Sequence, residues 1–256
     1  MAMKLVTFNL RYDTERDELN SFHYRRELIV KKIKKEAPDI ICFQEVLPHM
    51  AVWLKENLKD YYIIGCGRSR RLKDEQVAVA YRRSRMNLVH METFWLSDTP
   101  QVPGSRYEDQ SVCPRVCTEA VFQDLESDML FRLVNLHLDH SGSVVREKEI
   151  RQILDKIEHT EVFPDIPVIL AGDFYAQPDM EEMKALTDHQ VFWDAAQEAG
   201  GTYHAFGGLE EPLKMDYIFI QDPFVCERTK VWTDCKNGVY LSDHYPISVI
   251  LSEKQE

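Results

Sequence analysis

The chain has 256 residues, 44% apolar, 29% charged and 11% aromatic, with a formal net charge of −12. That length supports one substantial core, and no apolar stretch is long enough to cross a bilayer as a helix. The acidic balance argues against a broad basic surface for gripping nucleic acid, so a phosphorylated substrate requires a cation or a local group of arginines.

The N-terminus, MAMKLVTFNL, enters a strand pattern at once, with KLVTFNL (4–10) as the first strand. It lacks a basic segment followed by an apolar one, so no signal peptide is expected. A helix follows over 24–36, with Ile29 and Ile33 on one face, lysines around the rest and Pro38 beyond its end. DIICFQEV (39–46) contains a continuous apolar run, which suits a strand covered on both faces. A second helix over 47–59 places Met50, Trp53, Leu54 and Leu58 in a stripe.

Strands are then expected at 61–66, 76–83, 86–96, 115–124 and 129–139, with period-2 alternation clearest in QVAVAY and FRLVNLHL. Ile150, Ile153, Leu154 and Ile157 recur at helical spacing within 143–162, where Glu147 precedes Arg151 by one turn. The strand PVILAGDF (167–174), a short helix over 179–187, and strands at 215–220, 229–234 and 245–252 complete the chain. Eleven strands with few one-faced helices require two packed sheets covered by helices on the outside. No linker or repeat interrupts them, so residues 1–256 read as a single α/β domain. Six cysteines (42, 66, 113, 117, 226 and 235) form no CxxC pair and read as reduced thiols of a cytoplasmic protein.

Polar residues collect at strand ends: Asn9, Glu45, His137, Asp139, His140, Asp173, Asp216, Asp243 and His244. Singly, such residues are caps or turn formers. Together they could share one rim of the sandwich. Carboxylates with an amide oxygen suit a hard cation, and nearby imidazoles can exchange protons with a phosphate. The set favours Mg²⁺, with Mn²⁺ as an alternative, over Zn²⁺.

TFNL with Asn9, QEV with Glu45, NLHLDH with His137, GDF with Asp173, MDYIFI with Asp216 and SDHYP with Asp243 and His244 resemble the endonuclease/exonuclease/phosphatase superfamily. The motifs run in the family's order and span almost the entire chain. WLSDTP (95–100) and PRVCT (114–118) are similar to a bacterial branch nearer the nocturnin and poly(A)-deadenylase side than the inositol phosphatases. The resemblance implies a four-layer α-β-β-α sandwich of two mixed sheets and metal-dependent cleavage of a phosphomono- or phosphodiester. It implies Glu45 as a direct Mg²⁺ ligand beside Asn9, with Asp243 assisting. It further implies Asp173 as the base for water, His244 on the scissile phosphate, and His137 stabilising phosphate charge while oriented by Asp216.

Arg115 in PRVCT is a substrate-binding candidate, and Arg68, Arg70 and Arg71 are weighed equally as ligands or as an exposed turn. In GTYHAFGG (201–208), His204 and Phe206 are candidates for stacking on a base or sugar, against a packed Gly-rich turn as the simpler reading. Trp95 reads as packing. The family's motif continues with asparagine where this chain has Tyr175, so a weakened site is expected. The substrate is a phosphorylated small molecule, a nucleotide or a nucleic acid, and no protein partner or membrane is implied. A 3′–5′ exonuclease and a catalytically silent phosphate-binding relative stand as alternatives.

Overall fold

Two six-stranded sheets lie face to face in the computed structural model, which describes residues 2–188 and 191–254. In chain order the elements are β1 (Met3–Asn9), α1 (Phe22–Glu36), β2 (Ile40–Val46), α2 (Pro48–Asn57), β3 (Tyr61–Ile64), β4 (Gln76–Arg82), β5 (Met86–Trp95), β6 (Val116–Asp124), β7 (Leu130–His137), α3 (Ser143–Glu158) and β8 (Val168–Asp173). They continue with α4 (Lys184–Thr187), β9 (Trp193–Asp194), β10 (Asp216–Ile220), β11 (Phe224–Val231), β12 (Cys235–Lys236), β13 (Val239–Tyr240) and β14 (Ile247–Glu253). One sheet has the order β11-β14-β1-β2-β4-β3 and the other β5-β6-β7-β8-β10-β9.

The apolar runs fill both faces of each sheet. Leu5, Ile40, Cys42 and Val79 meet Leu133, Ile169, Ala171 and Ile218 between the sheets. On the outer face of the first sheet, Phe8, Ile41 and Phe43 pack with Ile29 and Ile33 of α1 and Met50 and Leu54 of α2. Val134, Leu136, Leu170 and Phe219 do the same with Ile150 and Ile153 of α3. The result is the four-layer sandwich, and both sheets are mixed.

Each sheet has one parallel pair, β1 with β2 and β7 with β8. A parallel pair needs a crossover, and α1 and α3 supply the two. The C-terminal ends of these four strands carry Asn9, Glu45, His137 and Asp173. The antiparallel neighbours β10 and β14 begin at the same rim, which brings Asp216 opposite Asp173 and Ile247 opposite Thr7. A buried amide pair ties the sheets together just below that rim. Gln44 donates to Asn135 Oδ1 at 2.8 Å, and Asn135 donates to the Phe43 and Ala78 carbonyls at 3.0 and 2.9 Å.

Element boundaries differ from the sequence expectation: α4 begins only at Lys184, β3 ends at Ile64, and the two-residue strands β9, β12 and β13 were not expected. Helix α3 stops at Glu158, short of residue 162. The strand expected over 229–234 is β11, which begins at Phe224 and ends at Val231. Its alternation slips at a bulge between Cys226 and Arg228, and Trp232 leaves the strand to enter the core beneath α1. The six cysteines are all unpaired, as expected. Among the described residues, no helix is long and apolar enough to cross a membrane.

Candidate active site at the rim of the sandwich

Asp173 sits where the two sheets meet and is fully buried. Gly172 makes that placement feasible: its φ is +149°, and a Cβ there would lie 2.0 Å from the Leu136 carbonyl oxygen. Asn9 spans the sheets, donating through Nδ2 to Glu45 Oε1 at 3.0 Å and to Asp173 Oδ2 at 2.9 Å. Its carbonyl oxygen accepts from the Arg11 amide at 2.8 Å. In this arrangement Asn9 holds two carboxylates in place, and its Oδ1, which accepts one hydrogen bond, keeps a second lone pair. Glu45 also accepts from the Tyr12 amide at 2.9 Å. Its φ of +61° is the left-handed region, a strained geometry of the kind that gathers at functional sites.

His244 carries its Nδ1 2.8 Å from Asp216 Oδ2 and its Nε2 3.8 Å from Asp173 Oδ2. Burial opposes its charge, but Asp216, Asp173 and Asp243 outweigh it and hold the imidazolium to about 10. His137 is the opposite case. Burial pushes it well below its ordinary value, with Arg115, Arg68, His244 and His140 adding to the effect, so the ring is neutral. Its Nε2 is buried, has no hydrogen-bond partner, and lies 3.7 Å from Asp173. Burial, reinforced by Asp216, raises the Asp173 carboxyl to about 7 against the pull of His244, the Tyr175 amide and Asn9.

Asp216 was expected to orient His137, and the structure pairs it with His244 instead. The register explains why. His137 and Asp216 both stand opposite Asp173, on the strands flanking it. They are therefore two strand spacings apart, about 9.6 Å, too far to bond. His244, arriving from the other sheet, is the imidazole within reach.

Asp173, Asp216 and His244 offer ligand atoms within 4.8 Å of one another, a spacing that would suit a metal. Charge pairing of His244 with the two carboxylates holds this trio together. The better fit to a hard cation lies beside it. Burial raises the Asp243 carboxyl and Glu45 adds to it, only partly offset by His244 and by Arg11, whose Nε is 3.7 Å away. Crowded carboxylate oxygens with spare lone pairs are the donor set that a divalent ion relieves.

Tyr175 follows Asp173 with φ +50°, and its ring stacks on His137 at 5.2 Å and 11°. The Arg115 guanidinium lies over the Tyr175 ring, 5.8 Å from its centroid. Asp139 steadies Arg115 from 3.3 Å, and His140 Nδ1 is 2.8 Å from its Nη2. Arg68 is buried against Glu75 at 2.7 Å, while Arg70 and Arg71 are exposed. Trp95 packs as expected and donates to the Arg68 carbonyl at 2.6 Å. His204 is inside the protein, 1% exposed, stacked 3.7 Å from Tyr245 and accepting from the Gly207 amide. It closes the Gly-rich turn and is not presented for stacking on a base. Phe206 is half-buried and lies 5.7 Å from the Arg25 guanidinium.

Sequence reasoning missed Gln44, Asn135 and Glu75. Gln44 precedes a motif glutamate inside an apolar run, which was an available signal. Glu75 lies in a charged turn that carried none.

The chain matches the model of the Endonuclease/Exonuclease/phosphatase family over residues 6–244. An endonuclease/exonuclease/phosphatase from Bacteroides vulgatus superposes with a TM-score of 0.92 at 29% identity, covering 99% of this chain and 100% of that one. A mannosyl-6-phosphatase from Bacteroides thetaiotaomicron gives 0.89 at 26% identity, covering 98% and 99%. The human Nocturnin catalytic domain, solved with a bound sulfate, gives 0.75 at 19% identity over 99% and 95%, and shares the fold.

Proposed function

Because the chain belongs to the endonuclease/exonuclease/phosphatase family, we propose that it is a divalent-cation-dependent phosphoesterase that attacks a small phosphorylated substrate with activated water. The observation that carries this reading is the placement of Asp173. It lies between Asn9, His137 and His244, with its carboxyl raised to about 7, the range in which a general base works best.

Asp173 takes the proton of the attacking water. His244, held as a cation by Asp216, contacts an oxygen of the scissile phosphate. Neutral His137 donates from Nε2 to a phosphate oxygen as charge builds there. Glu45 and Asp243 would hold Mg²⁺ or Mn²⁺, with Asn9 fixing Glu45 against Asp173. The ion supplies Lewis-acid stabilisation of the phosphate and of the leaving oxygen. The acidic net charge favours a compact substrate over an extended nucleic acid.

Turnover of p-nitrophenyl phosphate and bis-p-nitrophenyl phosphate with Mg²⁺, Mn²⁺ or EDTA tests the reading. Hydrolysis requires a divalent ion, stops on chelation, returns on re-addition and is absent in Glu45→Ala. Hydrolysis indifferent to EDTA would overturn it, as would Mg²⁺ binding without turnover of any phosphoester.

Asp216→Asn tests the role of His244. The imidazolium loses its nearest counter-charge, so its pKa falls from about 10. The cation is the working form, so activity disappears as pH rises through that value. The alkaline limb of the kcat profile should move acidward by about one unit or more. An unmoved limb would remove His244 from the proposed role.

A further inference from the structure

A narrow pocket opens beside the reacting centre, lined by Glu45, Arg68, Glu75, Gln76, Arg115 and His137. Arg68 is 8% exposed, and its buried Nε has no hydrogen-bond partner, since Asp74 stands 3.5 Å away. Its Nη2 is 2.7 Å from Glu75 Oε1. Among the described residues, nothing donates to the other oxygen of Glu75. The pocket therefore holds a buried N–H that makes no hydrogen bond, ion-paired to Asp74, next to a carboxylate oxygen that accepts none.

Charge limits what can fit. Glu75 neutralises Arg68, and Asp139 neutralises Arg115. A second phosphate entering here would gain little from either guanidinium and would face Glu75 and Glu45. An apolar leaving group would strand the buried Arg68 Nε, which costs about 1–3 kcal/mol, and would cover the free oxygen of the half-buried Glu75 without bonding it. A hydroxyl group both donates and accepts, so one hydroxyl can serve Glu75 and Arg68 at once.

We propose that Glu75 and Arg68 form a leaving-group subsite that reads a hydroxyl of a sugar or polyol phosphomonoester while the phosphate lies at Asp173 and His137. This deepens the phosphoesterase reading and rests on it. Substrates that keep the phosphate and lack the hydroxyls fill the reacting centre but leave the subsite unused.

The test compares mannose 6-phosphate and glucose 6-phosphate with n-hexyl phosphate and p-nitrophenyl phosphate, using wild type and Glu75→Gln. Wild type favours the hexose phosphates over n-hexyl phosphate in kcat/KM. Glu75→Gln lowers kcat/KM on the favoured hexose phosphate about 10- to 100-fold more than on p-nitrophenyl phosphate, the size expected for losing a hydrogen bond to a charged group. Arg68→Met gives the same selective loss. Equal losses on all substrates, no loss on any, or a wild-type preference for single-stranded RNA over every hexose phosphate would overturn the subsite. If none of these phosphomonoesters is hydrolysed with any metal, the phosphoesterase reading fails by itself. Calorimetric binding of mannose 6-phosphate against n-hexyl phosphate then decides the subsite: equal binding, or binding insensitive to Glu75→Gln, rejects it.

Discussion

Asp173→Asn lowers kcat by about 10²- to 10⁴-fold, the usual contribution of a positioned general base. The substitution preserves shape, and its amide oxygen can still accept from the Tyr175 amide, now 3.0 Å from Oδ1. What it removes is the lone pair that takes the proton from water, together with the oxygen that accepts from Asn9 Nδ2. The pH dependence separates this from a structural loss. Burial raises the wild-type carboxyl to about 7, so its basic form, and with it the rate, grows as pH rises through that value. In Asp173→Asn that rising limb disappears and the residual rate is flat there. Thermal unfolding should show a folded protein with a lowered Tm, because the variant leaves the Asn9 donor and the buried His244 imidazolium without the Asp173 charge. A loss below about tenfold, with the acidic limb retained, would assign the base to another residue.

Tyr175→Asn raises turnover by about 100- to 1,000-fold, the range associated with restoring one aligned donor to a phosphoryl-type transition state. The family resemblance implies asparagine at this place, and the structure supplies two reasons why tyrosine fits poorly. Its ring covers a face of His137, the residue proposed to donate to phosphate. Its φ of +50° is a conformation that asparagine adopts at less cost than an aromatic residue. The same substitution should therefore add about 1 kcal/mol to stability, read by chemical denaturation alongside the kinetics. Burial, with Asp173 and Glu45, pushes the phenol far above its ordinary value, so it is a neutral hydroxyl at any working pH. If turnover falls in Tyr175→Asn while wild type is fast, the phenol is a working donor and not an obstruction.

The contrast between Asp216 and Asp173 shows where reading a sequence stops. Both were visible as acids at the ends of apolar runs, and both reach the rim. Which imidazole each one meets depends on the register of β7, β8 and β10 and on what the opposite sheet delivers between them. The same limit applies to His204. Its glycine-rich surroundings gave no sign that Tyr245 would enclose it.

The order of apolar and polar residues was enough to determine that this chain builds two sheets covered by helices. It also determined that acids, an amide and imidazoles would end several strands, because side-chain alternation and strand termination are local properties. Only the tertiary structure decided how these residues meet: Asn9 between Glu45 and Asp173, His244 against Asp216, His137 buried beneath Tyr175, Glu75 against Arg68. Protonation and pairing depend on burial and on charges contributed from distant parts of the chain, and those distances exist only once the two sheets have packed.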